Sequence, residues 1–263
     1  MRLRNPIDLD LSLRSEDFRT LDFWIYRGLR FLLLPLGKFR QASVAAHLHW
    51  IFRHLSIATS SHYFGVEFLN ARSAIVQGGL IQRHIKSSDF VVDVACGSAR
   101  YIPILDNLGV KKYLGIDSSS IHINRNTEIF PEWQFKLSDV MDEEVIPSCD
   151  IIIASHFLEH LESPELFLSQ IRNSCKKILI EVPDFFADPI NLVSLSVGAP
   201  WWTDPDHERE YSESAMEELL NRCGFKVIDK AISGATLGVV AIPIQEIQIK
   251  RARRDSNPKP SDP

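Results

Sequence analysis

The pattern of apolar and polar positions divides the chain into two parts with different periodicities. From about residue 15 to residue 85 there is almost no alternation with a period of two. In this first part apolar residues recur at helical spacing, as at Leu29, Leu32, Leu33 and Leu36. The pattern predicts several helices, which form an N-terminal helical appendage or lid over residues 1–74.

From Phe90 onward the pattern changes to short apolar runs that end in Gly, Asp or Ser and alternate with segments of helical periodicity. This alternation is typical of βαβ units and a parallel sheet. It predicts an α/β main domain over residues 75–248. Seven strands are predicted, over Phe90–Ala95, Tyr113–Asp117, Trp133–Lys136, Asp150–Ser155, Ile178–Val182, Lys226–Ala231 and Gly238–Pro243.

Two of the connecting helices carry clear end signals. The first begins at Ser163 with Pro164 at its first position, which is a favourable helix start, and is expected to run to about Asn173. The second begins near Ser212 and stops at Gly224, where a left-handed cap is easy to form.

Composition narrows the function classes. The chain has 263 residues, 45% hydrophobic and 24% charged, as expected for one large globular domain with an appendage. The net charge of −5 comes without long single-sign blocks, which predicts no nucleic-acid partner. The four cysteines are widely spaced and form no C-x-x-C pair. They predict neither a zinc ribbon nor a disulfide framework and favour a reducing, cytoplasmic setting.

The two ends of the chain differ from the domain. The apolar stretch Phe23–Leu36 is interrupted by Arg27 and Arg30 and is shorter than the roughly 20 residues a spanning helix needs. No cleavable signal peptide is predicted, since no small-residue cleavage site follows it. Residues 22–40 are basic and amphipathic, which favours a helix packed on the domain and also allows peripheral contact with a membrane surface. Residues 249–263 predict a disordered tail.

Candidate chemistry begins where the first predicted strand ends. Asp93-Val-Ala-Cys-Gly-Ser-Ala-Arg100 is a turn of small residues that lets a ligand approach the backbone before the next helix. The second strand ends in Asp117, 20 residues after Gly97, where a carboxylate is placed to accept hydrogen bonds from both ribose hydroxyls. Tight packing of the turn and helix capping by Asp117 are the structural alternatives. Together the two features favour an adenosine-type ligand.

These residues resemble the class I S-adenosylmethionine-dependent methyltransferases of the small-molecule branch. Residues 91–100 resemble their first motif, 113–117 their ribose-binding strand, 137–140 the segment whose acid meets adenine, and 150–161 their fourth strand and following turn. The resemblance covers roughly residues 75–245. It implies a Rossmann-like, seven-stranded, mostly parallel sheet with helices on both faces and an antiparallel last strand.

The resemblance also implies roles for single residues. Those expected to contact S-adenosylmethionine are Asp93, Ala95, Cys96 and Gly97 at the methionine end, Asp117 and Ser118 at the ribose, Asp139 and Val140 at the adenine, and Ser155 and His156 near the sulfonium. Ala95 and Ala99 stand where the family usually has glycine, so the backbone there is less free to take left-handed angles.

The segment after the fifth strand is rich in aromatic and ionisable groups, and the family resemblance implies substrate contacts there. His207 is the candidate general base, and Trp201, Trp202 and Tyr211 are candidate substrate-binding residues. The alternatives are that His207 is paired with a neighbouring acid and that the tryptophans anchor a lid.

His156, Glu159 and His160 have a spacing that suggests a metal site, but the family resemblance already accounts for the turn that contains them, so no metal is predicted. Two other functions are compatible with parts of this pattern. A dinucleotide oxidoreductase would need G-x-G-x-x-G, of which only Gly97 is present. A non-catalytic scaffold or partner-binding protein is the alternative retained, although the acids at Asp117 and Asp139 argue against it. The favoured reading is methyl transfer to a small-molecule, sugar or lipid-type acceptor, with oxygen as the expected acceptor atom.

Overall fold

A computed structural model describes residues 28–142, 144–187, 190–199, 204 and 206–244. The predicted tail at 249–263, the first 27 residues, and Trp201 and Trp202 lie outside the described residues.

One seven-stranded sheet forms the centre of the molecule, in the order β3-β2-β1-β4-β5-β7-β6. The first five strands are parallel, while β7 runs antiparallel to both β5 and β6. All seven predicted strands are confirmed, with ends that differ by at most two residues. The strands are β1 (Phe90–Val94), β2 (Lys112–Asp117), β3 (Gln134–Leu137), β4 (Ile151–Ser155), β5 (Lys177–Pro183), β6 (Phe225–Ser233) and β7 (Thr236–Pro243).

Helices cover both faces of the sheet, as expected for an α/β fold. They are α1 (28–33), α2 (Lys38–Ala71), α3 (Ala74–Gln77), α4 (Leu80–His84), α5 (Ile102–Asn107), α6 (Ser120–Ile129), α7 (Pro164–Ile171), α8 (Ile190–Ser196) and α9 (Glu213–Arg222). Short 3-10 turns follow β4 at Leu158–His160 and β5 at Phe185–Ala187.

The core consists of two apolar layers, one on each face of the sheet. Val92 and Val94 point into the layer that α7 and α9 cover, whereas Val91 points into the layer that α3, α4 and α5 cover. Strands buried on both faces must be apolar at nearly every position, which explains why the central strands read as continuous apolar runs. Complete burial of each large side chain contributes about 1.5–3 kcal/mol.

The two helices with sequence signals differ in their capping. Ser212 accepts a hydrogen bond from the amide of Ala215 at 3.1 Å, and Gly224 follows α9 with a φ of 80°, so both predicted ends of this helix are confirmed. Ser163 precedes α7, but its side chain makes no capping hydrogen bond. That helix ends at Ile171, two residues before the predicted end.

Within the described residues, the chain before β1 is mostly helical, and α2, α3 and α4 contact α8 and the sheet. Helix α2 has 34 residues and bends at Gly65, whose φ of 64° and ψ of −145° suit glycine and little else. Arg53 of α2 donates a hydrogen bond to Asn191 of α8 at 3.3 Å. Among the described residues, no helix has both the length and the apolar character needed to cross a membrane.

Candidate active site

The loop after β1 is a backbone cradle with three left-handed residues. Ala95, Gly97 and Ala99 have φ values of 50°, 50° and 52°. Both alanines adopt left-handed angles all the same, and the fold imposes them at a cost of about 1–2 kcal/mol per alanine. A Cβ on Gly97 would have the oxygen of Ala95 as its nearest neighbour, at 4.0 Å, so the space above the loop is open.

Asp117 joins this loop to the end of β2. One carboxylate oxygen accepts a hydrogen bond from the Gly97 amide and the other accepts one from the Ser119 amide, both at 2.8 Å. The residue is only 7% exposed, whereas its neighbour Ser118 is exposed. Each carboxylate oxygen has a further lone pair, so a diol could be bound without breaking either bond.

Cys96 does not present its side chain to a ligand. The thiol is buried, lies next to Gly115 and contacts the side-chain amide of Asn126. Burial and the nearby Asp93 and Asp117 raise the pKa of Cys96 well above its usual value. The cysteine expected at the methionine end therefore contributes packing and its backbone.

Asn126 supports the same loop from α6. Its side-chain amide donates a hydrogen bond to the carbonyl of Gly97 at 2.7 Å. Sequence reasoning missed this residue, since a single asparagine within a helix carries no motif.

Asp93 lies beneath the loop and is 2% exposed. The hydroxyl of Tyr113 donates a hydrogen bond to its carboxyl group at 3.0 Å. Burial raises the pKa of Asp93 to about 7, even though the Tyr113 hydrogen bond and the charge of Arg100 act in the opposite direction.

Asp139 and Val140 follow β3 at the same edge of the sheet. Asp139 is exposed and accepts a hydrogen bond from the Met141 amide at 2.9 Å, while Val140 is buried in the core. The amide of Ser138 donates to the carbonyl of Asp117 at 3.1 Å, which links this segment to the end of β2. The two acids therefore border one surface.

His156 follows β4 and carries a positive charge at neutral pH. Its two ring nitrogens lie 3.2 Å from carboxylate oxygens of Glu159 and Glu181. Burial opposes the charge, but these two acids raise the pKa of His156 to about 9. Its φ of 50° is another left-handed angle, located where functional sites often store backbone strain.

Arg100 completes this charged network. It donates hydrogen bonds to the hydroxyls of Ser155 and Tyr101 and to the carboxylate of Glu181. Glu181 is fully buried and also accepts a hydrogen bond from the Ser73 hydroxyl. Burial favours its neutral form, yet His156 and Arg100 hold the pKa of Glu181 below its usual value. The one signal in the sequence was an acid within an otherwise apolar strand.

A cavity of about 330 Å³ opens beside this network. Arg53 from α2, Arg72 directly after α2 and Arg100 line it together with His156, His160 and His207. Burial, together with the positive charges of Arg53 and Arg100, lowers the pKa of Arg72. The N-terminal helices thus supply a wall of the cavity, a contribution that no motif revealed.

The side chain of His207 is only 5% exposed at the edge of the cavity, and its Nδ1 is 2.9 Å from a carboxylate oxygen of Glu210. Burial opposes protonation, but Glu210 raises the pKa of His207 above its usual value. Of the alternatives for this residue, pairing with a neighbouring acid is therefore observed.

Tyr211 is not among the residues that line this cavity, so a substrate contact by its side chain stays a prediction. It is 4% exposed, packs in the core layer of α7 and α9, and its hydroxyl donates a hydrogen bond to the carbonyl of Leu158 at 3.4 Å. The ring of Tyr211 instead packs between α9 and the 3-10 turn that follows β4.

The geometry at the carboxyl ends of the strands fits a nucleoside with an extended tail. The open loop after β1, the buried carboxylate of Asp117 and the exposed carboxylate of Asp139 follow three neighbouring strands. Ligands of open parallel sheets bind at this edge. Together with the antiparallel last strand, these features define a nucleotide-binding α/β protein of the Rossmann-like methyltransferase class.

Comparison with known protein families identifies the family to which this fold belongs. A family model described as a methyltransferase domain matches residues 73–230, which is more than half of the chain. The chain belongs to this family of methyltransferase domains, and S-adenosylmethionine is the cofactor of that class. The match to a methyltransferase domain sets the oxidoreductase alternative aside.

Individual relatives are distant. The chain is 25% identical to the trans-aconitate 2-methyltransferase of Escherichia coli K12 over 150 residues, which is 54% of this chain and 59% of that enzyme. The chain thus spans less than two thirds of the curated relatives that it matches.

Solved structures support the fold. The O-methyltransferase of neocarzinostatin biosynthesis, in complex with S-adenosylmethionine and 2-hydroxy-5-methyl naphthoic acid, has a TM-score of 0.54 and 15% identity over 72% of this chain and 58% of its own. The 1,6-didemethyltoxoflavin N1-methyltransferase of Burkholderia thailandensis, solved with S-adenosylhomocysteine, has a TM-score of 0.51 and 15% identity over 76% of this chain and 91% of its own.

Proposed function

We propose that this methyltransferase transfers a methyl group to an oxygen of a small anionic acceptor, in the simplest case a carboxylate. The observation that carries this proposal is the cavity that Arg53, Arg72 and Arg100 line together. Guanidinium groups remain protonated in proteins, and their planar geometry suits bidentate hydrogen bonds to carboxylates.

The excess of positive charge in the cavity favours an anionic acceptor. His156 adds a fourth positive charge, while Glu181 and Asp204 are acids among the described lining residues. Glu181 is already engaged by Arg100 and His156. An anionic acceptor would relieve the mutual repulsion of Arg53, Arg72 and Arg100.

The cofactor residues keep the roles that the motif implies. Asp117 would hold the ribose hydroxyls, with Ser118 beside it, and Asp139 with the backbone of Val140 would hold the adenine. Asp93, Ala95 and Gly97 would border the methionine end, and Ser155 and His156 would lie near the sulfonium. When bound, S-adenosylmethionine supplies an electrophilic methyl group, and the chain's task is to align the acceptor oxygen with it and exclude water.

A carboxylate acceptor changes the expected role of His207. A carboxylate is already deprotonated at neutral pH, so its methylation needs no general base. His207 is paired with Glu210, and a carboxylate acceptor would not require it to abstract a proton. The name of the trans-aconitate relative, whose acceptor is a carboxylic acid, adds support to the same class.

The acceptor test uses a panel of di- and tricarboxylic acids, phenols and amines with labelled S-adenosylmethionine. We expect alkali-labile methyl esters from the acids. Arg72→Met should raise the KM for the acid about 10- to 100-fold, the loss expected for a hydrogen bond between charged groups. Arg83→Met is the matched control, because Arg83 pairs with Asp229 outside the cavity.

Calorimetry separates the acceptor from the cofactor. Arg72→Met should bind S-adenosylhomocysteine as the wild type does, whereas Asp117→Ala should lose binding. Asp106→Ala is the control for the second variant, since Asp106 is exposed and pairs with Lys111. Methylation of phenols or amines but not of acids would contradict the proposed acceptor and leave the methyltransferase assignment unchanged.

A further inference from the structure

A cluster of metal-ligating groups borders the cavity beside the charged network. Glu159, His160 and His207 each offer one ligand atom, and these atoms lie within 4.8 Å of one another. Glu159 and His160 come from the 3-10 turn after β4, whereas His207 precedes α9.

The backbone holds the two segments together. The amides of Glu208 and Arg209 donate hydrogen bonds to the carbonyl of Glu159 at 2.9 and 3.3 Å. The guanidinium of Arg209 donates to the carbonyl of Glu162. These contacts fix His207 beside His160, and their rings meet edge to face with centroids 4.7 Å apart.

Each imidazole has an outer partner of the kind that orients metal ligands. Nδ1 of His207 is 2.9 Å from the Glu210 carboxylate, and Nδ1 of His160 is 3.2 Å from the carbonyl of Asp206. Metal-binding histidines typically donate one ring N–H to such a carboxylate or carbonyl and bind the ion through the other nitrogen. Nε2 is accordingly the ligand atom expected from both rings.

Glu159 has an unsatisfied acceptor. The residue is 0% exposed, and its Oε1 lies 3.2 Å from His156. Within the described part of the chain, its Oε2 has no hydrogen-bond partner. A buried carboxylate oxygen without a partner is costly, and a cation bound at Oε2 would remove that cost.

We propose that Glu159, His160 and His207 form a binding site for a divalent transition metal ion of the Zn²⁺ class. Two imidazoles and one carboxylate are a ligand set found in metal sites that keep coordination positions open. His160 and His207 line the cavity, so the open positions would face the space in which the proposed function places the acceptor. The sequence pattern alone pointed to His156 in place of His207, but His156 is held by Glu159 and Glu181.

The test measures metal binding directly and does not depend on methyl transfer. Untagged full-length protein is dialysed against a chelator and titrated with Zn²⁺ by calorimetry and with Co²⁺ by visible absorption. We expect about one ion per chain, with Co²⁺ bands that indicate protein nitrogen ligands. Because the ion binds the folded state, Zn²⁺ should also raise the melting temperature.

Variants locate the ion. His160→Ala should abolish stoichiometric binding, and because the His160 side chain is exposed, the variant is expected to fold. Glu159→Gln should abolish binding as well, and Glu210→Gln should weaken it about 10- to 100-fold through loss of orientation. His47→Ala is the matched control, since His47 is an exposed histidine on α2 away from the cavity.

Two results would overturn the proposal. One is a wild-type protein that takes up no more Zn²⁺ or Co²⁺ than His160→Ala does. The other is full binding by a folded His160→Ala variant, which would place the ion elsewhere. Circular dichroism of each variant establishes that a lost signal reports the site and not unfolding.

Discussion

Two alanines in the cofactor loop occupy backbone angles that normally belong to glycine. Ala95 is partly exposed, whereas Ala99 is completely buried. The left-handed conformation costs each about 1–2 kcal/mol, and glycine would remove this cost at an entropic loss of about 0.5–1 kcal/mol. The two positions therefore share one source of strain and differ in burial.

We expect Ala95→Gly to stabilise the fold by about 0.5–1 kcal/mol, visible as a higher denaturation midpoint in urea. Ala99→Gly should gain less, because it also removes a buried methyl group worth about 0.8 kcal/mol. A lower midpoint for Ala95→Gly would show that the left-handed angle is not a source of strain.

At this scale, the sequence identified residues that stand at strand ends inside a motif, such as Asp117 and His156. It did not identify Arg53, Arg72 or Glu181. These side chains become neighbours only when α2, β5 and the loop after β1 are packed together. No local pattern encodes a contact between segments so far apart in the chain.

Helices α7 and α9 offer a comparison between two serine caps. Ser212 accepts a hydrogen bond from a helix amide, while the side chain of Ser163 makes no such bond. Ser212→Ala should therefore destabilise the protein by about 1 kcal/mol, the typical value of an N-cap. Ser163→Ala should change the denaturation midpoint very little, and equal losses from both would contradict the difference in capping.

Element positions were well predicted where burial dictates them. The central strands are apolar on both faces, so their runs could be located within two residues. Helix ends were less certain, as the early end of α7 at Ile171 shows. The bend of α2 at Gly65 was not predicted, because a single glycine is compatible with a straight helix and only packing selects the bent form.

The N-terminal helices present exposed apolar side chains next to basic residues. Phe31 and Leu32 are 73% and 70% exposed, and Arg30, Lys38 and Arg40 lie nearby in the chain. An apolar surface with basic flanks suits a membrane interface that carries anionic lipids. Peripheral membrane contact by this region stays a prediction.

We expect the protein to sediment with vesicles that contain phosphatidylserine, and to be released by salt. Phe31→Glu combined with Leu32→Glu should reduce this binding strongly. Leu166→Glu is the control, because Leu166 is a comparably exposed side chain on α7, at 64%. Equal sedimentation of all three proteins would contradict the prediction.

The buried carboxyl of Asp93 links cofactor binding to the uptake or release of a proton. With a pKa of about 7, the unliganded protein holds this proton for part of the time at neutral pH. The pKa of Asp93 is higher in the folded protein than in the unfolded chain. The free energy of unfolding therefore falls as the pH rises from the ordinary carboxyl range toward 7, because the unfolded chain loses this proton more easily. An ammonium group of a bound cofactor close to Asp93 would favour the ionised form of this carboxyl group. Cofactor binding near neutral pH would then release a fraction of a proton, and its heat would depend on the ionisation enthalpy of the buffer.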